Sequence, residues 1–137
     1  MAEDFATFMK RRVKIAQSYV NGDAAPLDGV LAAQSPATFF GPAGGAVAAA
    51  DAVKSRYDRD ALSFAAGGET DLEVLHMGGE GDVGYWVGFQ NAKARLKGRP
   101  EPVAMRLRVT EIFRKANGEW RMVHRHADML NEERRPI

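Results

Sequence analysis

Residues 107–130 read LRVTEIFRKANGEWRMVHRHADML. Two runs of alternating side chains flank Asn117-Gly118, and that dipeptide between alternating apolar positions is the strongest short-range signal for a β-hairpin. A hairpin alone is not stable in water. The rest of the chain must therefore supply further strands and helices to cover one of its faces. The same stretch holds most of the polar residues able to do chemistry: Glu111, Arg125 and the segment His124-Arg125-His126-Ala127-Asp128.

Working outward, the 137 residues make one domain and are enough to bury a core without staples. There is no cysteine, so disulfides, thiolate nucleophiles and zinc-thiolate sites are excluded. A net charge of +1, with acids and bases mixed along the chain, gives no footprint for nucleic acid or an anionic membrane. The N-terminal MAEDFATFMKRR lacks an apolar signal region, and no run approaches membrane-spanning length. A cytoplasmic protein is the expectation.

Phe5, Phe8, Met9, Val13, Ala16, Tyr19 and Val20 recur every three or four residues, which predicts an amphipathic helix closed by Asn21-Gly22. Asp23 and Pro26 predict the start of a second, shorter helix that buries Leu27, Val30 and Leu31. Ala37–Phe40 predicts a short strand. Gly44-Gly45 then reads as a strand-to-helix turn before a helix over Ala46–Phe64, and no phosphate-loop motif is present there. Ala65–Gly68 reads as a flexible break. Beyond it, Thr70–Met77, Asp82–Leu96, Pro102–Lys115 and Glu119–Met129 predict an antiparallel meander. Gly84 and Gly88 within the second of these mark a bulge, a bend or a close backbone approach. The fold class is α+β, with about three N-terminal helices packed in the concave side of a strongly curved, mainly antiparallel sheet. The domain spans 1–130 and the tail 131–137 is expected to fray.

The segments TFFGPAGG (38–45), GDVGYWVG (81–88) and LRVTEIFRKANGEWRMVHRHAD (107–128) resemble the nuclear transport factor 2-like superfamily, in particular SnoaL-like proteins and the association domain of calcium/calmodulin-dependent protein kinase II. The resemblance implies a cone-shaped domain with an apolar-lined pocket at its wide end and dimerisation through the sheet. The superfamily includes ketosteroid isomerases, cyclases and dehydratases beside noncatalytic binding and assembly modules, so fold does not fix chemistry. The Asp base and oxyanion donors of the ketosteroid isomerases have no secure match here. By the same resemblance, Glu111 and Gln90 stand where the kinase association domain has pocket arginines, which implies that both face inward.

Register decides which side chains share a face. A two-residue turn would set Arg114 opposite Arg121, and opposed like charges destabilise a strand pair. A three-residue loop, Ala116 to Gly118, instead pairs Arg114 with Trp120 and Glu111 with Val123. That register is the one expected. It turns Leu107, Val109, Glu111, Phe113, Arg121, Val123, Arg125 and Ala127 to one face, with Glu111 and Arg125 as diagonal neighbours. Arg108, Thr110, Ile112, Trp120, Met122, His124, His126 and Asp128 take the other.

Two functional readings follow. In the first, Glu111 and Arg125 are the catalytic pair of a metal-free acid/base enzyme acting on a hydrophobic carbonyl or cyclic substrate, an isomerase, cyclase, dehydratase or hydrolase. A structural ion pair is the alternative role for these two residues. In the second reading, the chain is a noncatalytic binding or assembly module, a homodimer through its sheet that holds a small apolar or acidic ligand. Both readings draw the pocket from Tyr19, Phe39, Tyr57, Trp86, Gln90, Val109, Phe113 and Val123, with Tyr85 a further polar donor. Arg108, Thr110, Trp120, His124 and His126 are expected in an interface or side-chain network. His124-x-His126 with Asp128 has metal-ligand chemistry, but arginines flank it and no fuller motif accompanies it. No metal and no cofactor are assigned. His76 is read as a strand-end residue, or a pocket group if it points inward.

Overall fold

The computed structural model describes residues 3–131. The expected tail therefore lies, from residue 132 onward, outside the described residues. Helix α1 (Phe5–Val20) opens on Asp4, whose carboxylate accepts from the Thr7 amide at 2.7 Å. It closes where Gly22, at φ +90°, and Asp23 turn their amides back onto the carbonyls of Tyr19 and Ser18. Helix α2 (Ala25–Asp28) has Pro26 in its first turn and buries Leu27. Then come β1 (Thr38–Phe40), β2 (Ala46–Ala48), α3 (Ala50–Ala61), β3 (Phe64–Glu80), β4 (Val83–Leu96), β5 (Val103–Ala116) and β6 (Glu119–Met129).

The six strands form one curved sheet in the order β2-β1-β6-β5-β4-β3, antiparallel except where β1 runs parallel to β6. The helices gather on its concave side, as the α+β reading expects. Two expectations at the first crossover are corrected. Gly44-Gly45 turns strand to strand, because Ala46–Ala48 pairs back on Thr38–Phe40, and the following helix begins only at Ala50 and ends at Ala61. Ala65–Gly68 is not a break but part of β3, which starts at Phe64 and absorbs the glycines in a bulge between Ala65 and Glu69. A second bulge sits at Val74–His76. Opposite it, a β-carbon on Gly88 would stand 2.0 Å from the Glu73 carbonyl oxygen, so the strands close there only around glycine.

The core lies between α1 and the sheet. Phe5, Phe8, Phe113 and Trp120 pack with ring centroids 5.0–5.9 Å apart. Burying one such side chain is worth about 1.5–3 kcal/mol, and that sum settles the hairpin register against expectation. The turn is the two-residue one, with Asn117 at φ +53° and Gly118 at +78°; Arg114 does lie opposite Arg121, and Lys115 opposite Trp120. A bulge then inserts Val123 between the Phe113–Met122 and Ile112–His124 pairs. Beyond it Glu111 pairs directly with Arg125, not diagonally.

The bulge explains itself through burial. Unbroken alternation would let β6 turn inward either Trp120 and Met122 or Arg125 and Ala127. With one residue inserted, all four face the core. Trp120 and Met122 thus leave the outer face predicted for them, while Arg121 and Val123 leave the inner one and border a groove beside the 32–36 loop. Two buried apolar side chains outweigh one exposed like-charge pair, worth only about 0.2–1 kcal/mol.

Candidate functional site

Glu111 is the polar centre of the concave face and is fully buried. β5 projects it inward and β6 brings Arg125 beside it. α1 supplies a residue that the sequence reading did not single out, Arg12. The Arg12 guanidinium grips the carboxylate twice, Nε donating to Oε1 at 3.0 Å and Nη2 to Oε2 at 2.8 Å. Arg125 Nη1 donates to Oε2 at 2.5 Å and the Trp86 indole to Oε1 at 2.7 Å. Each carboxylate oxygen thus receives two donors. Burial pushes the carboxyl up, but Arg12 and Arg125 outweigh it and hold the group at about 2.

That arrangement sets the chemistry open to Glu111 and Arg125. A usable proton-transfer group balances desolvation against one cation; here two guanidiniums and an indole saturate the carboxylate, so it stays an anion at any physiological pH. The buried trio carries one carboxylate and two guanidiniums, a net charge of +1. Arg125 is also fastened by Nη2 to Gln90 Oε1 at 2.7 Å, and Gln90 in turn donates to the Thr70 hydroxyl at 3.1 Å.

Above the trio is a cavity of about 30 Å³ bordered by Arg12, Ala16, Tyr19, Leu27, Tyr57, Gln90 and Arg125. Four of these, Tyr19, Tyr57, Gln90 and Arg125, are residues the sequence assigned to the site. Arg12, Ala16 and Leu27 were missed, although the spacing Phe8, Arg12, Ile15, Ala16, Tyr19 puts Arg12 on the apolar stripe of α1, a position that should have marked it. Such a volume holds about one water. Tyr19 donates its hydroxyl to the Tyr57 carbonyl at 3.1 Å, whereas the buried Tyr57 hydroxyl has no hydrogen-bond partner among the described residues. Burial raises both phenols, so both are neutral donors.

The remaining expected pocket residues lie in the packing around the cavity. Phe39 lies against Tyr57 with centroids 4.7 Å apart; Trp86, Val109 and Phe113 are core. Val123, as the bulged residue, is turned away from it. Tyr85 and His76 share a contact on the exposed side, Nδ1 to hydroxyl at 3.2 Å. The other expected network residues divide. Trp120 is buried and donates its indole to the Glu3 carbonyl at 2.9 Å, a core position rather than an interface one. Arg108 makes a two-point pair with Asp128 at 2.6 and 2.8 Å on the outer face. Thr110 pairs with His126 across the strands, His124 Nδ1 lies 2.7 Å from the Thr38 hydroxyl, and Phe40 packs its edge against both imidazoles. No cluster of metal-ligand geometry occurs among the described residues.

Among the described residues, no helix is long and apolar enough to cross a membrane. The architecture is shared with solved structures at low identity, a likeness of fold alone. A candidate association domain of calcium/calmodulin-dependent protein kinase II type from Xanthomonas campestris superposes with a TM-score of 0.75 at 10% identity, covering 96% of this chain and 91% of that one. A candidate dehydratase of the nuclear transport factor 2-like family from Streptomyces avermitilis gives 0.71 at 14%, covering 91% and 94%. A nuclear transport factor 2-like protein from Salmonella enterica gives 0.72 at 14%, covering 94% and 95%. Comparison with curated proteins finds no match. A family model described as the SnoaL-like domain matches residues 12–132, nearly the whole described chain, and the protein belongs to that family.

Proposed function

We propose that the chain is a noncatalytic small-molecule-binding and assembly domain whose ligand carries a carboxylate or a similar compact anion. The observation that carries this reading is the surplus cation: Glu111 is already saturated by four donors, yet two guanidiniums border the cavity and leave the cluster at +1. Buried charge is retained at low cost only when it is paired, and the unpartnered Tyr57 hydroxyl adds a neutral donor beside it. An acid/base enzyme is the weaker reading, because no side chain lining the cavity among the described residues is a base near neutral pH. The small volume requires the α2 side of the cavity to yield as the ligand enters.

Assembly completes the reading. The outer face of the sheet exposes Phe40, Leu75, Val83 and Tyr85, and a groove of about 410 Å³ beside Val87 and Phe89 is edged by Arg108, His126 and Asp128. Apolar surface rimmed by charges in this way suits a second copy of the chain. Light scattering is expected to give a dimer, and a monodisperse monomer would remove this part of the proposal.

For the ligand, thermal shift with formate, acetate and benzoate tests the reading, since binding to the native state raises apparent stability by mass action. At least one carboxylate is expected to raise the midpoint, with its neutral amide inert. Tyr57→Phe should weaken the affinity behind that shift about three- to tenfold, the worth of one hydrogen bond. Equal shifts from acids and amides, or none from either, would overturn the proposal.

A further inference from the structure

Leu27 of α2 and Tyr57 of α3 both border the cavity, and the next residue in each helix is an aspartate. These two carboxylates meet at one ammonium: Lys54 Nζ lies 2.7 Å from Asp58 Oδ2 and 3.6 Å from Asp28 Oδ2. Lys54 and Asp58 form an ordinary i,i+4 pair on α3. Asp28 is different. Its Oδ1 is shut from solvent with no hydrogen-bond donor among the described residues, a costly state for an ionised oxygen. A proton on Asp28 removes that cost by neutralising the carboxyl, and Lys54 is then left facing the single charge of Asp58. Burial and Asp58 accordingly lift Asp28 to about 6, while Asp28 and Lys54 lower Asp58. The charges acting on Asp28 are Asp58 and Lys54, both from α3. On the β6 side, Arg121 is committed to the Gly29 carbonyl and the Glu119 carboxylate.

The α2 segment is built as a strap. Its two ends are tied by backbone bonds, the Asp23 amide to the Ser18 carbonyl at 3.0 Å and the Met122 amide to the Val30 carbonyl at 2.7 Å. Between the ties, the four helical residues, whose first amide, Ala25, donates to Asp23 Oδ1 at 3.2 Å, are seated by Leu27 and by Asp28. We infer that Asp28, Asp58 and Lys54 form a proton-operated latch that holds α2 down on α3 and so controls access to the cavity, an inference that rests on the cavity being the ligand site. With the proton in place the three groups sum to zero and the strap is shut. Without it two carboxylates face one ammonium, and the strap loosens.

Amide hydrogen exchange over residues 25–31, corrected for the intrinsic pH dependence, reads the latch directly. The open fraction is expected to rise about tenfold between pH 5 and pH 7.5. Asp28→Asn keeps the shape and supplies a permanent donor, so it should hold the low, pH 5 value throughout. Lys54→Met should open the strap further at pH 7.5. Stopped-flow association of acetate gives a second reading: Asp28→Asn is expected to slow it at pH 7.5. A purely electrostatic role would speed it, because the variant removes a negative charge from the path of an anion. A flat wild-type exchange profile, or Asp28→Asn exchanging like the wild type, overturns the latch even if carboxylates bind. Failure of every carboxylate to bind, with the exchange profile as expected, overturns the ligand reading and leaves the latch standing.

Discussion

Glu111 holds two of the arginines that border the cavity, Asp28 follows the Leu27 that borders it, and the two carboxyls are shifted in opposite directions. Glu111 is the more deeply buried, yet its proton leaves at about 2; Asp28 is partly open to water, yet it keeps its proton to about 6. Burial taken alone would rank them the other way. What separates them is the ratio of charges: two guanidiniums and an indole around one carboxylate, against one ammonium shared by two carboxylates. Desolvation raises a carboxyl only where donors do not replace the lost water. The first cluster is accordingly a fixed charge that shapes a binding surface, and the second a group that can change state.

Breaking the first cluster should give the largest effect. Glu111→Gln leaves two buried guanidiniums without a counter-charge and is expected to cost about 3–5 kcal/mol in urea unfolding at pH 7. Replacing Glu111, Arg12 and Arg125 together by Leu, Met and Met should cost far less, since no charge is then stranded. The pH window follows from the sign of the shift. A lowered folded pKa means that the ionised carboxylate stabilises the fold above its ordinary value near 4.5, and that this stability drains away as pH falls toward about 2. The gap between wild type and Glu111→Gln should thus stay flat from pH 6 to 9 and narrow below pH 4.

Asp28→Asn sharpens the contrast with a smaller effect in the opposite window. A carboxyl with a raised folded pKa binds its proton more tightly in the native state, so wild-type stability falls as pH rises from about 4 through about 6, then levels. The variant should match the wild type at pH 4 and exceed it by about 1 kcal/mol at pH 8, the worth of one hydrogen bond. A variant no more stable at pH 8 than at pH 4, relative to wild type, would mean that Asp28 does not hold its proton in the fold.

How far these clusters were legible in the sequence depends on whether local pattern or tertiary demand made them. Glu111, Arg125, Gln90, Tyr19 and Tyr57 were legible, because alternation along strands, helical spacing and the family resemblance all aim them inward. Arg12 was not. Read as one of several basic residues of an amphipathic helix, it looks solvated, and only its place between Phe8 and Ile15 betrays an inward guanidinium. Asp28 and Asp58 lie 30 positions apart and meet only at the Lys54 ammonium. The Val123 bulge was equally hidden, since nothing in the alternation of β6 announces that Trp120 and Arg125 must share a face. The curved sheet, by contrast, was announced by Gly84 and Gly88, whose β-carbons would collide with Phe5 and with the Glu73 carbonyl.

The smallest test concerns charge at the surface, where the same electrostatics weakens. Arg114 and Arg121 face each other beside the Asn117-Gly118 turn, and that repulsion is why a three-residue loop was expected instead. The structure tolerates the pair because water and salt screen it, and because slipping the register would expose Trp120 and Met122 at about 1.5–3 kcal/mol each. Arg114→Thr should therefore stabilise the fold by only about 0.2–1 kcal/mol, with the gain fading as salt is raised from 50 mM to about 500 mM. A gain as large as the loss in Glu111→Gln, or one indifferent to salt, would mean that the turn is strained by something other than its charges. It would also break the rule drawn from Glu111 and Asp28, that solvent access and donor count together set what a charge is worth.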